Sequence, residues 1–168
     1  MAKDSSAQKR VCDSQVEMTE LVLPNHCNEL GNLMGGQNMH WMDIACAMAA
    51  IRHTGHTCVT AGVDEISFFE PIRLGDIVVL KASVNRAFNT SMEIGVKVFR
   101  QSRNGELAHS NSAYFTFVGV DDNQKVVPAP PITPETDDEK RRYEAALFRR
   151  DSRLEKRKAL RQWKEQKK

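Results

Sequence analysis

Nothing in this chain of 168 residues approaches the roughly 18 consecutive apolar residues of a membrane span, and the opening Met1 to Arg10 has no apolar stretch of the kind that marks a secretory leader. Both absences lead to the expectation of a cytoplasmic protein with no membrane partner. Cysteine is scarce and scattered: Cys12, Cys27, Cys46 and Cys58 form no Cys-x-x-Cys pair, which argues against a structural zinc and a disulfide scaffold. Four reduced thiols and no metal are expected. There is no internal repeat, and with 40% hydrophobic and 27% charged residues the composition is far from that of a disordered chain. The length suits one domain with a core plus an appendage.

What the chain does have is a charge asymmetry hidden under a formal net charge of +2. Lys140 to Lys168 hold 13 Lys/Arg and 4 Asp/Glu, a tail of +9, so the remainder carries −7. The two parts meet where Pro128, Pro130, Pro131 and Pro134 remove backbone donors. The expected organisation is a flexible N-terminus over 1–15, a folded domain over 16–125, a proline-rich linker over 126–136 and a basic helical tail over 137–168.

Residues Val16 to Leu23 read as a first strand, closed by Pro24-Asn25. After a polar loop through Asn28, Gly31 and Asn32, the pattern changes at Gly35-Gly36 to an alanine-rich helix that is apolar on every side from Trp41 to Ile51 except at Asp43. A helix with no wet face is expected to be enclosed. Strands follow: 58–69, then Ile77 to Val84 after the Gly75-Asp76 turn, then Met92, Ile94, Val96 and Val98 in alternation, and Ala113 to Val120 after the Asn104-Gly105 hairpin signal. The fold class is therefore α+β, with an antiparallel sheet of about five strands wrapped around one long central helix. In the tail, Thr136 or Asp137 is the expected cap, and Tyr143, Leu147 and Leu154 form a thin docking stripe on a helix that frays at its end.

Asp43 is the only formally charged residue between Glu29 and Arg52. A carboxylate on a helix that must be buried costs several kcal/mol unless it is paired or used, so Asp43 is either a structural hydrogen-bond acceptor or a catalytic base. The Gly35-Gly36 pair lets a ligand reach the helix N-terminus, whose free N–H groups and positive dipole end polarise a carbonyl. A carboxylate, the carboxamides of the loop and an amide-lined helix end are what addition of water to a carbonyl requires.

Asn28-Glu-Leu-Gly-Asn-Leu-Met-Gly-Gly36, Trp41-Met-Asp43 and Val63-Asp-Glu-Ile-Ser-Phe-Phe-Glu-Pro-Ile-Arg-Leu-Gly-Asp76 resemble the hotdog-fold acyl-CoA hydrolases. Ser91-Met-Glu-Ile, Ala113-Tyr-Phe-Thr-Phe-Val and Ile132-Thr-Pro-Glu-Thr extend the resemblance from about residue 16 to about 148 in the family's order. It implies a thioesterase that hydrolyses fatty acyl-CoA to fatty acid and CoA with no cofactor, coenzyme A being part of the substrate. It also implies a homodimer with shared active sites, assembled further into a hexamer as a trimer of dimers. By the same resemblance Asn28 and Asp43 form each site across the dimer interface, and Gly36 supplies the polarising amide. Met34 stands where the family's His-Gly-Gly has its histidine. Asp43 then acts as general base with Asn28 orienting the water; direct attack by Asp43 through an anhydride is the alternative route.

Gly35 and Asn32 flank this site, Phe68 and Phe69 are candidates for an acyl tunnel or plain core, and Thr90 and Ser91 are candidates for contacting CoA phosphates or simply forming a turn. His40 is a candidate neighbour of Asp43, Arg52 and His53 are read as a solvated helix end, and Asp64 and Glu65 as structural acids in a strand. Two other functions remain on the same fold: a non-catalytic acyl-CoA binder whose basic tail contacts nucleic acid, and a dehydratase. The tail mixes in acids and has little interleaved aromatic character, so nucleic acid is not the expected partner, and a dehydratase would need a paired histidine and acid.

Overall fold

The computed structural model describes residues 8–64 and 66–167. Its elements in chain order are β1 (Lys9–Arg10), β2 (Val16–Leu21), α1 (Gly35–Thr54), β3 (Thr57–Val63), β4 (Ile77–Ala87), β5 (Ser91–Gln101), β6 (Leu107–Val120), β7 (Ile132–Thr133) and α2 (Asp137–Glu165), with short 3-10 turns at Val11–Ser14 and Pro24–His26. Five strands make one antiparallel sheet in the order β2-β4-β5-β6-β3, while β1 and β7 form a separate parallel pair. The sheet curls around α1, as the strand and helix periodicities predict.

Strict alternation explains how the sheet packs. In β5, Met92, Ile94, Val96 and Val98 are buried, and in β6 Ala113, Phe115 and Phe117 are; these residues meet Met42, Ala45, Cys46, Ala49 and Ala50 of α1 in one core. Small residues on the helix let it sit close to the large ones on the strands. At its C-terminus α1 ends on Gly55 at φ 73°, whose N–H bonds to the Ile51 carbonyl. Asn104 and Gly105, the latter at φ 89°, turn the β5–β6 hairpin.

Three expectations are corrected. Strand β3 stops at Val63: Asp64 N–H still bonds to the Tyr114 carbonyl of β6, but Ile66 to Phe69 beyond it form no ladder. The part of the presumed flexible N-terminus from Lys9 to Ser14 is laid against the body: Val11 and Ser14 are buried, and the Lys9 ammonium bonds to the His53 carbonyl at the end of α1. The proline-rich linker is likewise packed, with Ala129 and Ile132 buried and β7 paired to β1. Prolines excluded long regular structure there without excluding contact.

The tail begins with a capping box in which Thr136 Oγ1 accepts from Glu139 N (3.2 Å) and the Glu139 carboxylate accepts from Thr136 N (3.1 Å). The helix then runs unbroken to Glu165. Of the expected apolar stripe Tyr143 packs against the core while Leu147 and Leu154 are exposed, and charge adds to the anchoring. Arg149 donates to Glu93 Oε1 at 2.6 Å, and Arg153 to Asp64 at 2.6 Å. Glu93 is 0% exposed on the outer face of the sheet, and Asn85 (3.2 Å) and Arg153 (3.4 Å) also donate to it. The Arg149 guanidinium also lies 3.6 Å from the Tyr114 ring centroid. Removing it strands a buried carboxylate, so Arg149→Ala should lower unfolding stability by about 3 kcal/mol, read by denaturant or thermal unfolding. A change below about 0.5 kcal/mol would mean the pair does not hold α2 to the sheet.

Candidate active site

Asp43 lies at the edge of an exposed apolar stripe of α1, and this corrects the expectation of an enclosed helix. The sheet covers one side of α1; on the other, Met39, Ile44 and Ile51 are exposed at 39%, 37% and 47%. Asp43 is half-buried, and its Oδ1 accepts a 2.6 Å hydrogen bond from Thr60 Oγ1 on β3. The carboxylate is thus oriented by a neighbour, one turn above the exposed His40 on the same stripe. Burial pushes the thiol of adjacent Cys46 well above its usual 9.0, and the charge of Asp43 adds to the effect.

Thr60 went unnoticed in the sequence, although a signal was present. Gly62 interrupts an otherwise β-branched run, and an isolated glycine in a strand marks a bulge. The ladder between β3 and β6 slips between Thr60 and Gly62. Bulges re-aim side chains, and this one adjoins the threonine that meets Asp43.

Asn28 lies in the loop before α1. Its Oδ1 accepts from Leu30 N (3.0 Å) and Asn32 N (3.1 Å), and its backbone N–H bonds to the Asn32 carbonyl (2.8 Å). Both side-chain bonds use the oxygen, which leaves the NH2 group for a ligand. Asp43 is paired with Thr60 in this chain, not with Asn28. The loop ends at Met34, which caps α1 without any side-chain bond, so the first amides of the helix, at Gly35 and Gly36, remain without an internal partner of that kind. A Cβ at Gly36 would meet nothing within 4 Å; one at Gly35 would touch the Phe68 ring at 3.6 Å.

Beside this helix end is a cavity of about 220 Å³, lined by Asn32, Leu33, Gly35, Asn38, Phe68 and Ile72 among others. Phe69 is 75% exposed and does not line it. A larger cavity of about 550 Å³ lies on the opposite face of the sheet beneath α2, among Lys81, Lys97, Asn85 and Arg142; neither cavity contains Asp43, Thr60, Asn28 or Gly36, but the smaller one is lined by Gly35 at the helix start and by Asn32 of the loop that carries Asn28. Chemistry therefore points to the smaller one.

The remaining candidates separate. Thr90 and Ser91 form the β4–β5 turn, where Phe88 N–H bonds to the Ser91 carbonyl. Ser91 pairs with Val118, next to the Gly119 that approaches Thr54, so within one chain the turn lies at the far end of α1 from Gly36. His53 corrects the reading of a solvated helix end: it is 0% exposed, its Nε2 meets the Pro130 carbonyl at 2.8 Å, and burial holds its pKa below the usual value. Arg52 remains exposed and bonds to the Gln15 carbonyl. Asp64 serves the ion pair with Arg153, its carboxyl raised above 3.8 by burial against the opposing pull of that arginine. Glu65 lies outside the described residues. The cysteines are all unbridged, and among the described residues no group of three or more His, Cys, Asp or Glu is placed to hold a metal. No described helix is long and apolar enough to cross a membrane.

A five-stranded antiparallel sheet curled around one central helix is the hotdog architecture, and the thioesterase superfamily profile matches residues 30–106. The chain belongs to this family. An acyl-CoA hydrolase from Staphylococcus aureus, solved with butyryl coenzyme A, coenzyme A and coenzyme A disulfide, is 32% identical and superposes with a TM-score of 0.87, covering 93% of this chain and 96% of that one. That enzyme has also been solved with single alanine replacements of an asparagine, an aspartate and a threonine. A hexameric acyl-CoA thioesterase is 33% identical with a TM-score of 0.84, covering 88% of this chain and 97% of that one. Acyl-coenzyme A thioesterase 11 of Mus musculus is 39% identical over 155 residues, 91% of this chain, but this chain spans only 26% of its length.

The open space at Gly36 generates a prediction. Its backbone is helical and a methyl group there meets nothing, so Gly36→Ala should fold as the wild type does, with stability raised by up to about 1 kcal/mol through the loss of glycine's unfolded-state freedom. A melting temperature that falls instead would show that this glycine serves packing and not ligand access.

Proposed function

We propose that the chain hydrolyses acyl-CoA thioesters to the free acid and CoA, and that Asp43 is the general base. The observation that carries this is the Thr60–Asp43 hydrogen bond: a carboxylate fixed in orientation at the edge of an accessible face, on the same helix whose N-terminal amides are open. Asp43 takes a proton from water, Asn28 orients that water through its NH2 group, and the amide of Gly36 stabilises the oxyanion as it forms. Thr60 positions Asp43 by donating to one carboxylate oxygen and leaving the other to the water. An asparagine, an aspartate and a threonine are the residue types replaced in the Staphylococcus aureus hydrolase, and they are the side chains assigned roles here. The reaction consumes no cofactor, since CoA is part of the substrate.

The site is proposed to be shared between two copies. The exposed stripe of Met39, Ile44 and Ile51 adjoins β3, an edge strand with Val59 and Val63 exposed, and such a surface calls for a partner. A second copy placed on it brings its own loop toward Asp43, so that Asn28 and Gly36 come from one protomer and Asp43 and Thr60 from the other. Hexamers among related thioesterases support further assembly as a trimer of dimers. Asn32 and Phe68 then flank the substrate, Thr90 and Ser91 are proposed for the CoA phosphates, and the protein is read as acting in the cytoplasm.

Steady-state release of CoA tests the roles. Asp43→Ala should lower kcat by at least about a hundredfold while the protein stays folded, the range of a general base. Thr60→Val should leave KM near wild type and lower kcat by roughly tenfold, the mark of a positioning group. Wild-type turnover by folded Asp43→Ala would rule out the mechanism.

A further inference from the structure

We propose that the cavity beside the N-terminus of α1 receives the acyl chain and that Asn38, at its inner end, restricts the enzyme to short and medium acyl groups. This rests on the thioesterase reading above. The cavity opens where the thioester carbonyl would meet the helix amides: Gly35 and Phe68, both exposed, form its mouth. Asn38 and Ile72, 3% and 4% exposed, form its inner end. Leu33, Phe68, Pro71 and Ile72 make its walls apolar. The wall is held in place where Ser110 Oγ donates to the Glu70 carbonyl at 3.1 Å.

A chain cannot pass the inner end without meeting buried amides. Asn38 Nδ2 donates to Asn111 Oδ1 (3.4 Å), and the Asn111 NH2 contacts the Met42 sulfur (3.8 Å), so two carboxamides block the space between α1 and β6. Asn38 Oδ1 is buried with no hydrogen-bond partner among the described residues. Methylenes pressed against these groups would keep that acceptor unsatisfied and force the pair apart, whereas a shorter chain leaves room for a water there. At roughly 30 Å³ for each water-sized group, the cavity accommodates on the order of seven heavy atoms beyond the carbonyl, which sets a limit near an octanoyl chain. One relative was solved with butyryl coenzyme A, whose acyl chain is shorter than this limit.

The test is kcat/KM of the full chain for butyryl-, hexanoyl-, octanoyl-, lauroyl- and palmitoyl-CoA. Wild type should peak at octanoyl or below and fall at least about tenfold by palmitoyl, and Asn38→Ala, which removes the amide and opens the space behind it, should raise the palmitoyl-to-hexanoyl ratio by about tenfold or more. If Asn38→Ala alone misfolds with Asn111 left unpaired, Asn38→Ala/Asn111→Ala removes both amides and carries the same expectation. Asn38→Gln, which keeps the amide and fills the cavity, should move the optimum the other way. A wild type that prefers palmitoyl, or a chain-length ratio unchanged in folded variants, overturns the role of Asn38 while leaving hydrolysis intact. Release of CoA from none of the five overturns both readings.

Discussion

A helix inside a curled sheet has two sides, and its own sheet can cover only one. That constraint organises this molecule. Residues of α1 that face the sheet are small or flexible, from Met42 through Ala50, and pack against Ile94, Phe115 and Phe117. Residues on the other side, Met39, Ile44 and Ile51, are apolar and uncovered. Asp43 falls at the boundary between the two, where one neighbour, Thr60, fixes its orientation and the open side leaves room for substrate and a second copy. On the proposed reading, the incompleteness of the fold and the incompleteness of the active site have the same cause.

The outer face of the sheet solves a different problem by different means. Glu93 alternates with core residues of β5 and so points outward, where it is nevertheless fully buried. Arg149 and Arg153 of α2 neutralise it together with Asp64, and Arg149 stacks on Tyr114. A helix with little apolar surface is thereby docked through ion pairs that low exposure shields from solvent. The basic excess that makes the tail look like a separate object in the sequence is, in its first half, the means of its attachment.

The strands and the central helix were legible because their periodicity comes from burial: the alternation in β5 and β6, the alanines of α1, and the turn chemistry of Asn104-Gly105 all follow from one-dimensional rules. Asp43 was legible as a lone charge in an apolar run. Its environment was not, because an apolar helix reads the same whether its second face is covered by its own chain or by another. Thr60 was missed for a related reason: a threonine in a strand is ordinary, and only the slip beside Gly62 and the curl of the sheet bring it to a residue 17 positions earlier. The prolines of 126–136 announced an irregular path and concealed that Ala129 and Ile132 are buried.

The central claim is that one active site is built from two chains, and mixing two inactive variants tests it most directly. Asn28→Ala and Asp43→Ala proteins, each nearly inactive alone, should form hybrid dimers after subunit exchange in which one site keeps both native groups and the other loses both. Random pairing makes about half the dimers hybrid, so activity should return to about a quarter of wild type. Verified exchange that restores nothing above the two parents would contradict the account, placing Asn28 and Asp43 in the same site of a single chain.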